Sequence, residues 1–327
     1  MTVTESPQQH CTLTVAIATW NRAALLNETL MSLEQVVVPH GLRWELIVVD
    51  NNSSDETAEV VQRYSSKLPI RYLLETAPGQ SHARNCAIDH SDSDILLWTD
   101  DDVRVDKNWL SGTLDAFERF DADLVYGRSQ PWWESEPPCW YAPIFDGRFA
   151  LLDHGPNAKV CSKSTGYGLN HAIRRSALEQ IGGYRTDMGL RHGKGAGGED
   201  IDLFVRAHQA GLRVVYTPHA VVNHFIPQDR CKKKFTRSRV WLGSEDYFHL
   251  LRSSNADLPA ILGIPRYLYR QQFTHLAKYL AAALRRDAPN TFFYELKLLQ
   301  FTGLLRYAMR NRLRTNQAAT ETSVTSD

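Results

Sequence analysis

Three consecutive carboxylates, Asp100-Asp101-Asp102, close the apolar run Ile95-Leu96-Leu97-Trp98-Thr99. Such a run reads as a strand covered on both faces, because strands of that kind lose the polar alternation. Three acids cannot follow it into a core, since an unpaired buried charge is strongly destabilising. They mark the point where the strand leaves the sheet. Alternate residues of an extended chain share a face, so Asp100 and Asp102 are expected to turn toward one site. Two convergent carboxylates suit a hard divalent cation such as Mg²⁺ or Mn²⁺. The competing reading is a solvated acidic turn, with Asp106 capping the next helix.

A second acidic pair, Glu199-Asp200, follows a segment dense in glycine. Thr186 to Gly198 holds Gly189, Gly193, Gly195, Gly197 and Gly198, with Arg191, His192 and Lys194 among them. That glycine density reads as a mobile loop. Its basic residues suit a lid over an anionic ligand; a merely flexible surface loop is the alternative. Leu203, Phe204, Ala207 and Ala210 then recur at helical spacing. Acids at a helix N-terminus are favoured by the macrodipole, so capping alone would also explain the pair. Trp132, Trp133, Trp140 and Tyr141 cluster among prolines in an irregular segment. Their rings would stack on sugars if exposed, or pack as core beneath a loop.

The elements that must position these groups alternate. Strands are expected at Leu13–Thr19, Trp44–Val49, Ile70–Leu74 and Ile95–Thr99, and a further one starts at Leu124–Tyr126. Between them, helices are expected at Arg22–Gln35, with Asn21 as N-cap, then Glu56–Ser65, Gly79–Asp89 and Trp109–Phe120. Asn170–Ile173 reads as a strand, Ser176–Ile181 as a helix, and Arg213–Tyr216 and Val221–Val222 as two short strands before His224. This alternation calls for an α/β fold with a mostly parallel sheet and helices on both faces. Ligands of such sheets bind beyond the carboxyl ends of the strands. Thr19 with Asn21, Asp50, and Asp100 to Asp102 all lie at that edge. Helix capping explains each singly; their recurrence at one edge favours a site.

Composition narrows the class. The 327 residues are 43% apolar, enough for a sizeable core, with formal net charge zero. Nothing global therefore argues for nucleic acid. The five cysteines are scattered, which reads as reduced thiols in the cytosol. No signal-peptide core and no run of eighteen apolar residues occurs. No Gly-x-Gly-x-x-Gly follows the first strand and no P-loop motif occurs, which argues against dinucleotide oxidoreductases and P-loop NTPases. Beyond about Pro227 the pattern turns helical and basic, notably at Lys232-Lys233-Lys234, Tyr267–Leu284 and Phe292–Met309. That region reads either as a helical subdomain packed on the sheet or as an amphipathic surface resting on anionic lipid.

Taken together, five blocks resemble the family-two glycosyltransferases of GT-A fold. They are Ala18-Thr19-Trp20-Asn21-Arg22, the stretch Glu45 to Thr57, Gly79 to Ile88 around Ala83-Arg84-Asn85, Thr99 to Asp102, and Gly198-Glu199-Asp200. The resemblance implies a Rossmann-like sheet with flanking helices and an inverting, metal-dependent transfer of sugar from a nucleotide-diphosphate donor. By it, Thr19, Asn21, Arg22, Asp50, Arg84, Asp100 and Asp101 would bind the nucleotide. Asp102 and His224 would hold Mn²⁺ or Mg²⁺, Asp200 would be the general base, and Glu199 would orient the acceptor. Trp132, Trp133, Arg191, His192 and Lys194 are candidates for the acceptor side or lid. Burial under the closing loop would raise the pKa of Asp200 and make it a better base.

The implied division is a polar lead over 1–12 and a transferase domain over 13–226, split into a nucleotide-sugar half (13–127) and an acceptor half (128–226). A helical region over 227–314 and a disordered tail over 315–327 follow. The Gln-x-x-Arg-Trp motif of processive synthases is missing, so one or few additions per encounter are expected. The acceptor would be a glycan, a lipid-linked intermediate or a small molecule, and the compartment the cytosol, with peripheral contact at the inner membrane face through the C-terminal helices. The alternatives are a sugar nucleotidyltransferase, against which the glycine-free Ala18 to Arg22 weighs, and a non-catalytic nucleotide-sugar-binding protein, against which the intact Asp102 and Asp200 weigh.

Overall fold

The computed structural model describes residues 12–163, 166–188, 198–244, 247–248, 251 and 258–324, with side chains as far as 311. Arg191, His192 and Lys194 lie outside the described residues.

Five strands and four helices carry the first part of the chain. The strands are β1 (Thr12–Thr19), β2 (Arg43–Asp50), β3 (Ile70–Leu74), β4 (Ile95–Asp100) and the short β5 (Val103–Val105). The helices are α1 (Ala23–Leu33), α2 (Thr57–Tyr64), α3 (Gln80–Asp89) and α4 (Trp109–Phe120). There follow β6 (Leu124–Trp133), β7 (Lys159–Val160), β8 (Asn170–Arg174), α5 (Arg175–Ile181), α6 (Glu199–Gln209) and β9 (Val214–Ile226). Two expectations are corrected. Pro131 to Trp133 continue β6, and the two short strands near His224 are one long strand, β9, running through Pro218.

The main sheet runs in the order β3-β2-β1-β4-β8-β6-β9-β5, with β7 pairing to β9. The β3-β2-β1-β4 portion is parallel, as the βα alternation requires, and β8 joins β4 antiparallel. Period-two alternation sends neighbouring residues of one strand into different cores. Leu13, Val15 and Ile17 of β1 pack with Leu26 and Leu30 of α1 on one face. Ala16 packs with Ala83 and Ala87 of α3 on the other, beside Trp98 and Phe204. Burying both faces is why β1 and β4 read as unbroken apolar runs.

The strand register brings the polar ends together. Thr19 pairs with Asp50, and Ala18 with Asp100, so β1, β2 and β4 finish at one edge. Asn21 does not cap α1, as the sequence suggested. Its backbone is left-handed (φ 51°), and its side chain accepts a hydrogen bond from the Ser54 N–H at 2.7 Å. The Ala23 N–H at the head of α1 is met instead by Asp55 Oδ2, at 2.9 Å. Two chain segments at the sheet edge are thereby tied to each other.

The chain divides into two compact units: Met1–Trp132 with Phe149–Phe225, and Trp133–Arg148 with Ile226–Asp327. The second contains α7 (Lys233–Leu242), the hairpin β10 (Ala260–Ile261) and β11 (Ile264–Pro265), α8 (Arg266–Leu284) and α9 (Ala288–Val324). Trp140 is buried in it, stacked edge-on against Phe145 and Phe292, with its indole N–H donating to the Cys231 carbonyl at 3.1 Å. Its ring belongs to that core. Among the described residues, no helix is long and apolar enough to cross a membrane.

Candidate active site

Asp100 is the last residue of β4, and the chain turns at Asp101-Asp102. Because the strand ends there, the alternation that would align Asp100 with Asp102 does not extend to them. The acids sort differently. Asp101 and Asp102 share one cation: Arg22 Nη1 lies 3.0 Å from Asp101 Oδ1 and 2.9 Å from Asp102 Oδ2. Thr19 donates to Asp101 Oδ2 at 2.8 Å. Asp100 faces the Arg84 guanidinium at 3.3 Å. Asp101 and Asp102 are each 4% exposed, which rules out the solvated acidic turn. Asp106 accepts from the Asn108 N–H in a local turn, and α4 has no side-chain cap.

Burial pushes the Asp101 carboxyl up to about 7, against the opposing pull of Arg22. It pushes Asp100 up too, against Arg84. A cleft that raises several carboxyls at once favours any further positive charge brought among them.

His224 stands on β9 opposite Val103. Its Nδ1 is 2.6 Å from the Phe149 carbonyl oxygen, and a carbonyl only accepts, so Nδ1 carries the proton. Nε2 lies 3.6 Å from Asp102 Oδ1 and faces that carboxylate oxygen. With Nε2 unprotonated, that separation would admit a shared cation. A carboxylate oxygen and an imidazole whose far nitrogen is held by a backbone carbonyl are a fitting donor pair for Mn²⁺. Mg²⁺, which prefers oxygen alone, fits less well. Among the described residues no group of three or more His, Cys, Asp or Glu could hold a metal, so further ligands would come from elsewhere.

At the β2 end, Asp50 Oδ1 accepts from the Ser53 N–H at 2.8 Å and Oδ2 from the Tyr72 hydroxyl at 2.7 Å. Asn51, which sequence reasoning left without a role, donates to the Glu75 and Ala77 carbonyls and accepts from the Gly79 N–H. It pins the entry to α3, and with it Arg84.

Arg84 joins the two acidic centres. Its guanidinium is almost wholly enclosed. Nη1 lies 3.0 Å from Glu199 Oε1, and the group lies over the Tyr184 ring, 5.1 Å from its centre. Burial works against its charge, yet Tyr184, Glu199 and Asp100 outweigh it and raise the pKa. Glu199 is raised by burial despite Arg84. Asp200 is half-buried at the head of α6, where Gly198 takes a left-handed conformation (φ 98°) that favours glycine. The Gly168 N–H donates to Asp200 Oδ2 and the Ile201 N–H to Oδ1, both at 2.8 Å. A Cβ on Gly168 would run into Arg84 Nη2, so a side chain there would displace the guanidinium.

Trp132 is half-buried, with the Arg104 guanidinium 3.6 Å above its ring and Phe225 4.9 Å away. Trp133, next along β6, packs against Tyr141 at 4.9 Å in the second unit. The two indoles are thus assigned to different units.

Behind the site, His171 donates to or accepts from the Tyr184 hydroxyl at 2.7 Å, and burial drives its pKa down to about 3. The histidine is buried neutral, so its folded value lies below its unfolded one. The stability it contributes is present above about pH 6.5 and is lost as pH falls toward 3. We expect a loss of about 2 kcal/mol between pH 7 and pH 5 from this residue. Chemical denaturation of wild type and His171→Gln over that range measures it: the wild-type slope should be the steeper.

The family model described as "Glycosyl transferase family 2" matches residues 14–182. The chain is 30% identical over 248 residues to the succinoglycan biosynthesis protein ExoM of Rhizobium meliloti (strain 1021), covering 75% of this chain and 77% of that protein. It is 26% identical to the glucosyl-dolichyl phosphate glucuronosyltransferase of Haloferax volcanii, over 55% of this chain and 58% of that one. Among solved structures, the mannosyltransferase PcManGT of Pyrobaculum calidifontis, in complex with GDP-Man and Mn²⁺, superposes with a TM-score of 0.59. That match covers 90% of this chain and 86% of the other at 20% identity, and it carries the fold alone. The architecture is that of the GT-A glycosyltransferases, and the chain belongs to glycosyl transferase family 2.

Proposed function

We propose that the protein transfers one sugar per encounter from a nucleotide-diphosphate donor to an acceptor hydroxyl, with inversion at the anomeric carbon. The observation that carries this reading is the chain of contacts from the strand edge to the head of α6. His224 faces Asp102, Asp100 faces Arg84, and Arg84 holds Glu199 beside Asp200. These contacts support the reading, since a candidate cation-binding edge and a candidate base would then share one frame.

Asp102 and His224 would hold a divalent cation, Mn²⁺ in preference to Mg²⁺, which would neutralise charge on the departing diphosphate. Thr19, Asn21, Arg22, Asp50 and Asp101 would line the nucleotide side. Of these, Asp50 accepts from the base while Tyr72 and the Ser53 N–H fix its orientation. Arg84 is enclosed by Glu199, Asp100 and Tyr184, so its part in nucleotide binding is to hold Asp100 in position. Asp200 takes the proton from the attacking hydroxyl, and the backbone N–H groups of Gly168 and Ile201 aim its carboxylate. Glu199 orients the acceptor from its clamp on Arg84. A single base suffices for direct displacement, and the paired carboxylates of a retaining glycosidase have no role.

The acceptor class would be a glycan, a lipid-linked intermediate or a small molecule, and Trp132, half-buried with Arg104 over one ring face, would be the aromatic on the first unit that meets a sugar ring. The proposed compartment is the cytosol, on the scattered odd set of five cysteines. Calorimetric titration with UDP, GDP and dTDP, with and without Mn²⁺, tests the donor side: one nucleotide should bind, and Mn²⁺ should tighten it. Product stereochemistry by NMR tests the rest, and retained anomeric configuration would contradict direct displacement.

A further inference from the structure

α8 is apolar on two faces. Leu268 and Ala282 are buried on the inward one, and the solvent-facing one carries Phe273, Leu276, Leu280 and Leu284. Their exposures are 78, 46, 52 and 86%. Steps of three and four residues align these side chains along one stripe. Ala277 and Ala281, also exposed, continue the apolar surface between them. An ordinary surface helix turns polar residues to water on that side. Here the stripe from Phe273 to Leu284 is apolar, with Thr274 and Lys278 exposed beside it, and contiguous exposed apolar surface marks an interaction site.

Charge identifies what the stripe meets. Arg266 and Arg270 are exposed at one end of the helix, and Arg285 and Arg286 just past the other. The zero net charge of the whole chain conceals a segregation: residues 226–327 hold seventeen Lys and Arg against eight Asp and Glu. A partner for this face must offer negative charge at its rim and hydrocarbon at its centre. Nucleic acid offers only the first, and a second copy of this basic unit would bring like charges together. A bilayer with anionic headgroups offers both. No described helix suits a spanning position, so α8 would lie in the plane of the interface.

We propose that α8 docks the protein on an anionic lipid bilayer, with Phe273, Leu276, Leu280 and Leu284 entering the acyl boundary. Arg266, Arg270, Arg285 and Arg286 meet the headgroups. The inference rests on this helix and the basic residues around it, and stands apart from the transfer chemistry.

The test is flotation of the full-length protein with vesicles of phosphatidylcholine, with or without phosphatidylglycerol. Binding to the anionic vesicles should be at least about tenfold stronger and should weaken with salt. The triple variant Phe273→Ser, Leu280→Ser, Leu284→Ser should lose about tenfold or more of that binding. Those positions are exposed, and an unchanged melting temperature checks that the fold is kept. The variant Arg266→Gln, Arg270→Gln, Arg285→Gln, Arg286→Gln should lose the preference for anionic vesicles. Equal binding to both vesicle types would overturn the proposal. So would wild-type binding by the triple variant, or a serine variant that turns a dimer into a monomer with vesicle binding unchanged.

Discussion

Asp200→Asn should lower kcat by about 10²–10⁴-fold while leaving nucleotide affinity within a factor of about two. The change is isosteric and removes only the capacity to take up a proton. In the native site, both carboxylate oxygens already accept backbone hydrogen bonds, from Gly168 and from Ile201. An asparagine keeps one of these and turns its amide toward the other, so a modest stability cost accompanies the loss of turnover. The donor edge at Thr19, Asp50 and Asp102 is untouched, and the donor KM should hold. Steady-state kinetics alongside calorimetry separates the two effects. Turnover within tenfold of wild type would move the base elsewhere. Glu199 could not simply replace it, since one of its oxygens is committed to Arg84 at 3.0 Å.

Arg84→Met should cost about 3–5 kcal/mol of stability, because it leaves buried carboxylates without their cation. Glu199 and Asp100 both point at the guanidinium, and Glu199 is 4% exposed. The pH dependence follows from the directions of their shifts. Burial already raises both carboxyls, and Arg84 opposes it. Without Arg84 they rise further, so each costs more in the folded state as it ionises. The stability deficit of the variant should therefore grow as pH increases from about 5 to 8. Arg84→Lys should recover only part of the loss, since a compact ammonium cannot span both acids as a planar fork does. Gly168→Ala should resemble a mild form of the same defect, because the added methyl displaces Nη2. Denaturation curves across that pH range, with kcat on the surviving protein, read both consequences. A pH-independent deficit would deny the electrostatic role.

The parallel half of the fold was legible because its signals are local. Apolar runs, short polar turns and leucines at helical spacing mark β1 to β4 and α1 to α4 without reference to distant residues. The convergence of Thr19, Asp50 and Asp100 was legible too, since βα alternation puts all such strand ends at one edge. What escaped was long-range. Nothing near Asp55 shows that it meets the head of α1, thirty-odd residues upstream, although Asx side chains in a polar run are natural donors' partners. The pairing of Asp101 with Asp102 through Arg22 is hidden in the sequence because strand alternation reaches Asp102 only if extended two residues past the end of β4. Arg84 shows the same limit. The Ala83-Arg84-Asn85 block marked it for attention, but only the fold reveals that it faces Glu199, more than a hundred positions away. Antiparallel β8 and β9, which close the sheet, depend on pairings that no short window contains.

Asp102 and His224 are proposed to hold a cation beside the nucleotide. Electron paramagnetic resonance of Mn²⁺ titrated into the protein with its nucleotide diphosphate addresses this without any need for turnover. The free-ion signal should be depleted by wild type plus nucleotide, and should return in Asp102→Asn and, to a lesser degree, in His224→Phe. Equal depletion by wild type and Asp102→Asn would contradict it, because the ion would then be bound somewhere other than the end of β4.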